Sequence, residues 1–214
     1  MAREKGGDWD GSVVIDDHLA FLRATRRLPG AGFVKVRVPP EKEISLVPQG
    51  GERVIFRSHF LRGFGLPASG FLRSFLDFYH LQPHHLTPNT VTLLSAFVTM
   101  CEVYLGIRPT IELWGAFFYT KLGTSAREKA AQCSAFIAVR RPSGQNAFPA
   151  IKLSQSVKLW QKSYFYMENV DPAIDFINLP PYEAGPCYLL STALDFPEEE
   201  RMMQQSSVSI SLSF

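Results

Sequence analysis

Three histidines fall within a short run, His80, His84 and His85, with His59 upstream and Cys101 and Glu102 downstream. Imidazole nitrogens and thiolate sulfur are the usual zinc-binding atoms, so His80, His84 and His85 are the candidate metal ligands. Against this, His84 and His85 follow Pro83 in what reads as a turn between two helices, where a polar loop histidine needs no metal. The sequence therefore assigns neither metal nor cofactor. The carboxylates Asp77, Glu102 and Glu112 could form a metal-binding acidic triad, but all three lie on segments that read as helices and suit solvated faces. The adjacent pair Asp16-Asp17 sits at a helix start, where the dipole favours negative charge. No Asp-Thr/Ser-Gly, P-loop, GxGxxG or nucleophile-elbow motif occurs. Gly63 and Gly65 form a lone GxG that reads as a turn. No catalytic residue is assigned, and no small-molecule ligand is evident.

Charge is distributed more tellingly than it is summed. The 214 residues carry 22 basic and 20 acidic side chains, a net of +2. Residues 57–141 hold nine Lys and Arg against four acids, and residues 142–200 hold three against eight. The basic centre supplies candidate phosphate contacts at Arg57, Arg62, Arg73, Arg108, Lys121, Arg140 and Arg141, and any such contact would be weak and salt-dependent. Balanced total charge with 46% hydrophobic residues excludes a highly charged disordered chain. Cys101, Cys133 and Cys187 are odd in number and form no CxxC pair, which suits free thiols in an intracellular setting. The N-terminus lacks an apolar secretory segment, and the most apolar run, Val91 to Cys101, is too short for a membrane span.

The elements that must carry these residues read as α+β. Residues 1–12 are polar and glycine-rich and are expected to be disordered. Val13 to Leu28 reads as a helix with Asp16 and Asp17 in its first turn and Arg26 and Arg27 in its last. Phe33 to Val38 alternates as a strand, and Arg53 to Phe56 is a second short one. A central cluster of three helices spans about 68–120: one with Phe71, Leu72, Phe75, Leu76 and Tyr79 on its apolar face, one opened by Thr87 as N-cap and Pro88 and stopped by Gly106, and one from Thr110 to Tyr119. A small antiparallel β region follows at about 133–167, in which Ala135–Arg140 and Ala150–Leu153 form a hairpin leading to the aromatic segment Tyr164–Met167. The expected core is Phe75, Leu76, Phe97, Val98, Cys101, Leu105 and Trp114. The alternating tail to Phe214 is expected to be loosely ordered.

The run Arg62-Gly63-Phe64-Gly65-Leu66-Pro67, followed by His85-Leu86 with Pro88-Asn89, then Glu102, Leu105-Gly106, Pro109 and Trp114, resembles the gypsy-type transposon domain that recurs in plant genomes. The segment around Trp160 is similar to the later aromatic part of that family. The resemblance covers roughly residues 43–187, leaving 1–42 as a leader with helix and strand and 188–214 as a tail. It implies a transposase-like label without an assigned catalytic residue. The roles it leaves open are protein interaction or self-association of a Gag-like kind, sequence-independent nucleic-acid binding and, with least support from the motifs, metal-dependent transposition. No membrane partner is expected.

Overall fold

The structure is a computed structural model, and it describes residues 11–122 apart from 42, 44 and 45, together with 136–140, 148, 149, 151, 153 and 159–182. Helix α1 (Asp16–Ala24) is followed by β1 (Val34–Arg37), β2 (Arg53–Phe56) and the single turn α2 (Arg57–Phe60). Helices α3 (Gly70–Phe78), α4 (Pro88–Thr99) and α5 (Ile111–Phe117) then form the helical centre, before β3 (Phe118–Leu122), β4 (Phe136–Arg140) and β5 (Tyr164–Asn169). The architecture is α+β, as the sequence predicts.

Each central helix opens on a polar cap. The hydroxyl of Ser69 accepts from the N–H of Leu72 at 3.1 Å. Thr87 accepts from the N–H of Thr90 at 3.2 Å, with Pro88 at the first helical position. Thr110 accepts from the N–H of Leu113 at 3.2 Å. These bonds satisfy N–H groups that a helix start otherwise leaves unpaired. Helix α1 is shorter than expected: it ends at Ala24, and Arg26 sits in the left-handed region at φ 55°. Arg26 and Arg27 thus lie just beyond the helix, where the chain turns toward β1. Gly11 and Ser12, expected to be disordered, are in place, and the Ser12 hydroxyl donates to the carbonyl of Tyr164.

The β region differs from the expected hairpin. Strand β5 is the centre of a three-stranded antiparallel sheet, flanked by β1 and β2 from the N-terminal part of the chain. Strand β4 pairs with β3, and residues 150 and 152 of the expected hairpin's second strand lie outside the described residues. The third helix accordingly stops at Phe117, because Phe118, Tyr119 and Thr120 are β-favouring residues that find a partner strand. Residues Cys133 and Cys187, and the tail 188–214, lie outside the described residues.

Strand β5 is buried on both faces. Phe165 and Met167 face the main core with Ile55, while Tyr164 and Tyr166 face a second cluster with Val54, Phe56, Leu46 and Trp160. Register places Val54 opposite Tyr166, Ile55 opposite Phe165 and Phe56 opposite Tyr164, so like faces meet across the ladder. In the helical core the indole of Trp114, fully buried, stacks on Phe118 at 4.1 Å between ring centroids and meets Phe97 edge-on at 5.3 Å and Phe75 at 5.5 Å. Phe75, Leu76, Phe97 and Cys101 are core as expected, and Val98 is partly buried against it.

Leu105 is not core, being 49% exposed. Helix α4 runs into a wider turn over Met100–Tyr104, closed by the N–H of Leu105 on the carbonyl of Met100 at 3.0 Å. This i to i+5 bond takes in one extra residue, which rotates everything after it by about 100° relative to the α-helical face. Trp114→Ala should therefore cost about 3–5 kcal/mol in urea unfolding, while Leu105→Ala should stay within about 0.5 kcal/mol. Comparable losses at the two positions would sink this placement.

Candidate interaction surface

The histidines form a buried group, not a polar loop. Pro83–His85 is a short 3₁₀ turn, and His59, His84 and His85 are each under 5% exposed. The His84 and His85 rings lie 4.1 Å apart, and His84 faces Tyr182 at 5.2 Å. His59 stacks on Trp160 at 5.4 Å, and its Nε2 meets the carbonyl of Leu86 at 3.0 Å. Nδ1 of His85 accepts from the N–H of Gln82 at 3.0 Å. Proline rigidity plus these backbone partners folds the pair inward. His80 stands apart, exposed in a left-handed turn at φ 51°. Among the described residues no group of three or more His, Cys, Asp or Glu is placed to hold a metal ion.

Burial holds the three imidazoles neutral. Desolvation brings His59 and His85 down to about 4 and holds His84 well below the usual histidine range, with the neighbouring His85 and His59 adding to the effect at His84. An unfolded histidine titrates near 6.5. The unfolded chain thus binds protons that the folded one refuses, and the stability from these groups is complete above that value and drains away as pH falls toward about 4. Each pH unit within the window costs about 1.4 kcal/mol per histidine. The thermal midpoint should fall steadily from pH 7 to pH 5, above the main carboxylate range. An unchanged midpoint over that interval would contradict buried neutral histidines.

The carboxylates have local duties. Asp77 accepts from Arg73 at 3.0 Å along one face of α3. Glu112 lies in the first turn of α5, where its own backbone N–H, then the Thr110 hydroxyl, hold it below the usual range. Glu102 is exposed on the wide turn after α4. A further acid network was missed by sequence reasoning. Arg37 donates to Glu52 through Nε at 2.8 Å and Nη2 at 2.6 Å, and lies 4.2 Å over the Tyr166 ring, whose hydroxyl donates to Glu43. Burial pushes Glu52 up, but the bonds from Arg37 and from the N–H of Gln49 outweigh it and hold the acid low. Its members lie far apart in sequence, so only the alternation of β1 hinted at it.

The glycine-rich motif is a pinned turn. Gly63 has φ +95°, its carbonyl accepts from the Ser95 hydroxyl at 2.9 Å, and a Cβ there would stand 2.9 Å from the Ser95 side chain. Any larger residue would push the turn off α4. A cavity of about 360 Å³ lies beside this turn, lined by Arg26, Arg27, Phe60, Leu61 and the motif backbone. Leu66–Pro67 is a cis peptide. Of the candidate phosphate contacts, Arg73 is paired with Asp77, the Nε of Arg57 is buried, and Lys121 and Arg140 belong to β3 and β4. Arg62 is half-buried in the turn and Arg108 is exposed. Arg141 lies outside the described residues.

The most exposed apolar group follows α4. Residues 102–108 are all exposed, with Val103 at 72%, Tyr104 at 75% and Ile107 at 43%. The N–H of Ile107 bonds the carbonyl of Cys101 at 2.9 Å, and Gly106 takes φ 63°, so the segment is a closed helix cap and not a loose loop. The buried Pro109 then returns the chain to α5.

These features define a small mixed helix-and-strand unit, from the first core residue of β2 to the end of β3, that presents an apolar cap. The family model described as "Putative gypsy type transposon" matches residues 54–122, about a third of the chain. The match supports the gypsy-type transposon resemblance and places it on this helical unit; Trp160 lies beyond it. No curated protein and no solved structure matches the chain. Among the described residues no helix is long and apolar enough to cross a membrane.

Proposed function

We propose that this transposon-derived chain is a non-catalytic module for protein–protein contact of a Gag-like, assembly-forming kind. The observation that carries the reading is the apolar cap at 102–108, which lies inside the family-matched stretch yet contributes little to the core. Four exposed apolar side chains within one short segment are the kind of surface that macromolecular contacts use. The residues that looked most chemical support it as well. His59, His84 and His85 serve packing, and Asp77 and Glu112 serve their own helices.

A second reading, sequence-independent nucleic-acid contact, is favoured by one observation: Arg26 and Arg27 edge the cavity at the Arg62–Gly65 turn, and among the described residues neither forms an ion pair. Light scattering of the full chain across concentration, joined to a single-strand titration across salt, separates the two. Concentration-dependent growth in mass with no salt-dependent binding supports the contact module. A monomer whose binding falls log-linearly with salt, by about 0.7 per phosphate neutralised, supports the second reading. A monomer that binds nothing overturns both.

A further inference from the structure

We infer that the cap at 102–108 docks on the same cap of a second copy of this chain about a two-fold axis. This rests on the contact-module reading and names its partner. The cap reads Glu102-Val103-Tyr104-Leu105-Gly106-Ile107-Arg108. Its apolar centre is flanked by one acid at the start and one base at the end, and among the described residues neither charge has an ion-pair partner. A two-fold axis through the cap would bring Glu102 of each copy to Arg108 of the other, with the exposed Val103, Tyr104, Leu105 and Ile107 between the copies.

That pattern selects against other occupants. A phosphate backbone would meet Glu102 as well as Arg108, and a strongly charged protein of either sign would find only one of the two groups useful. A self-complementary patch is what an isologous two-fold contact requires, because the same residues must serve both sides. The hydrogen bonds of Leu105 and Ile107 to Met100 and Cys101 hold the cap before any partner arrives, so little ordering cost attends docking. Tyr104 is the central anchor, since aromatic side chains dominate such contacts.

The experiment is sedimentation equilibrium on the full chain and four variants, with thermal melting of each. The parent should form dimers and no larger species at the cap. Tyr104→Asp should weaken the dimer about thirtyfold. Glu102→Arg and Arg108→Glu should each weaken it about tenfold by opposing like charges at two symmetric contacts, and the double variant E102R/R108E should restore it. Melting measured at a concentration where every form is monomeric should be unchanged in all four, because the replaced side chains are exposed in the monomer. Restoration by the double variant is the result that a merely structural role cannot mimic. A dimer indifferent to the variants overturns the inference while leaving a contact module intact. A monomeric parent overturns both, and so does a Tyr104→Asp variant that melts early while the parent stays monomeric, since the cap would then be covered by its own chain.

Discussion

The double burial of β5 is the constraint on which the rest of the molecule hangs. A strand with Tyr164, Phe165, Tyr166 and Met167 all fully buried needs apolar cover on both faces and a hydrogen-bonded neighbour on both edges. Strands β1 and β2 supply the edges, the helical core covers Phe165 and Met167, and Trp160 with Phe56 and Leu46 covers the tyrosines. Because β5 is distant in sequence from both neighbours, this one strand ties the N-terminal elements to the later part of the chain. It also fixes α2, since β2 runs directly into it and His59 leans on Trp160.

Two hydroxyls turn this arrangement from merely apolar into specific. The Tyr166 hydroxyl donates to Glu43 and accepts from the N–H of Val47 at 2.9 Å, and the Tyr164 hydroxyl donates to the carbonyl of Glu43 at 3.1 Å. Burial, helped by Glu43, pushes the Tyr164 phenol up to about 12 and that of Tyr166 higher. Both therefore remain protonated donors at any pH the chain meets. With Arg37 over the Tyr166 ring and bidentate on Glu52, the described residues between β1 and β2 are held by polar bonds as well as by the buried Leu46. A slipped register would bring the tyrosines to the wrong face and leave these partners unmet.

Much of this was legible where local chemistry decides. Ser69, Thr87 with Pro88, and Thr110 announce three helix starts because a cap is a contact between near neighbours. The strand at 34–37 follows from alternation, and that at 53–56 from a β-favouring run after a Pro- and Gly-rich loop. The pairing of β5 was not legible, since a strand buried on both faces shows no polar–apolar alternation and its partners lie more than a hundred residues away. Phe118 and Tyr119 were read as helix because their apolar character fits either period until a partner strand is known. The histidines misled for a related reason. Proline-flanked polar residues look like a loop, and only the closing of β2 and Trp160 over them makes that turn interior.

The cap at 102–108 illustrates a subtler limit. Apolar spacing of three and four carries Leu105 onto the same face as Leu94, Phe97 and Cys101, and an uninterrupted α-helix would bury it. Met100–Tyr104 breaks that phase with a single wider turn, a matter of which carbonyl the N–H of Leu105 selects. The shift turns Leu105 out of the core, beside the exposed Val103, Tyr104 and Ile107. Wide turns of this kind recur at functional positions for that reason: they re-aim side chains that regular periodicity would hide. Gly106 completes the device, because a left-handed residue there lets Ile107 bond back to Cys101 and keeps the re-aimed group in one fixed shape.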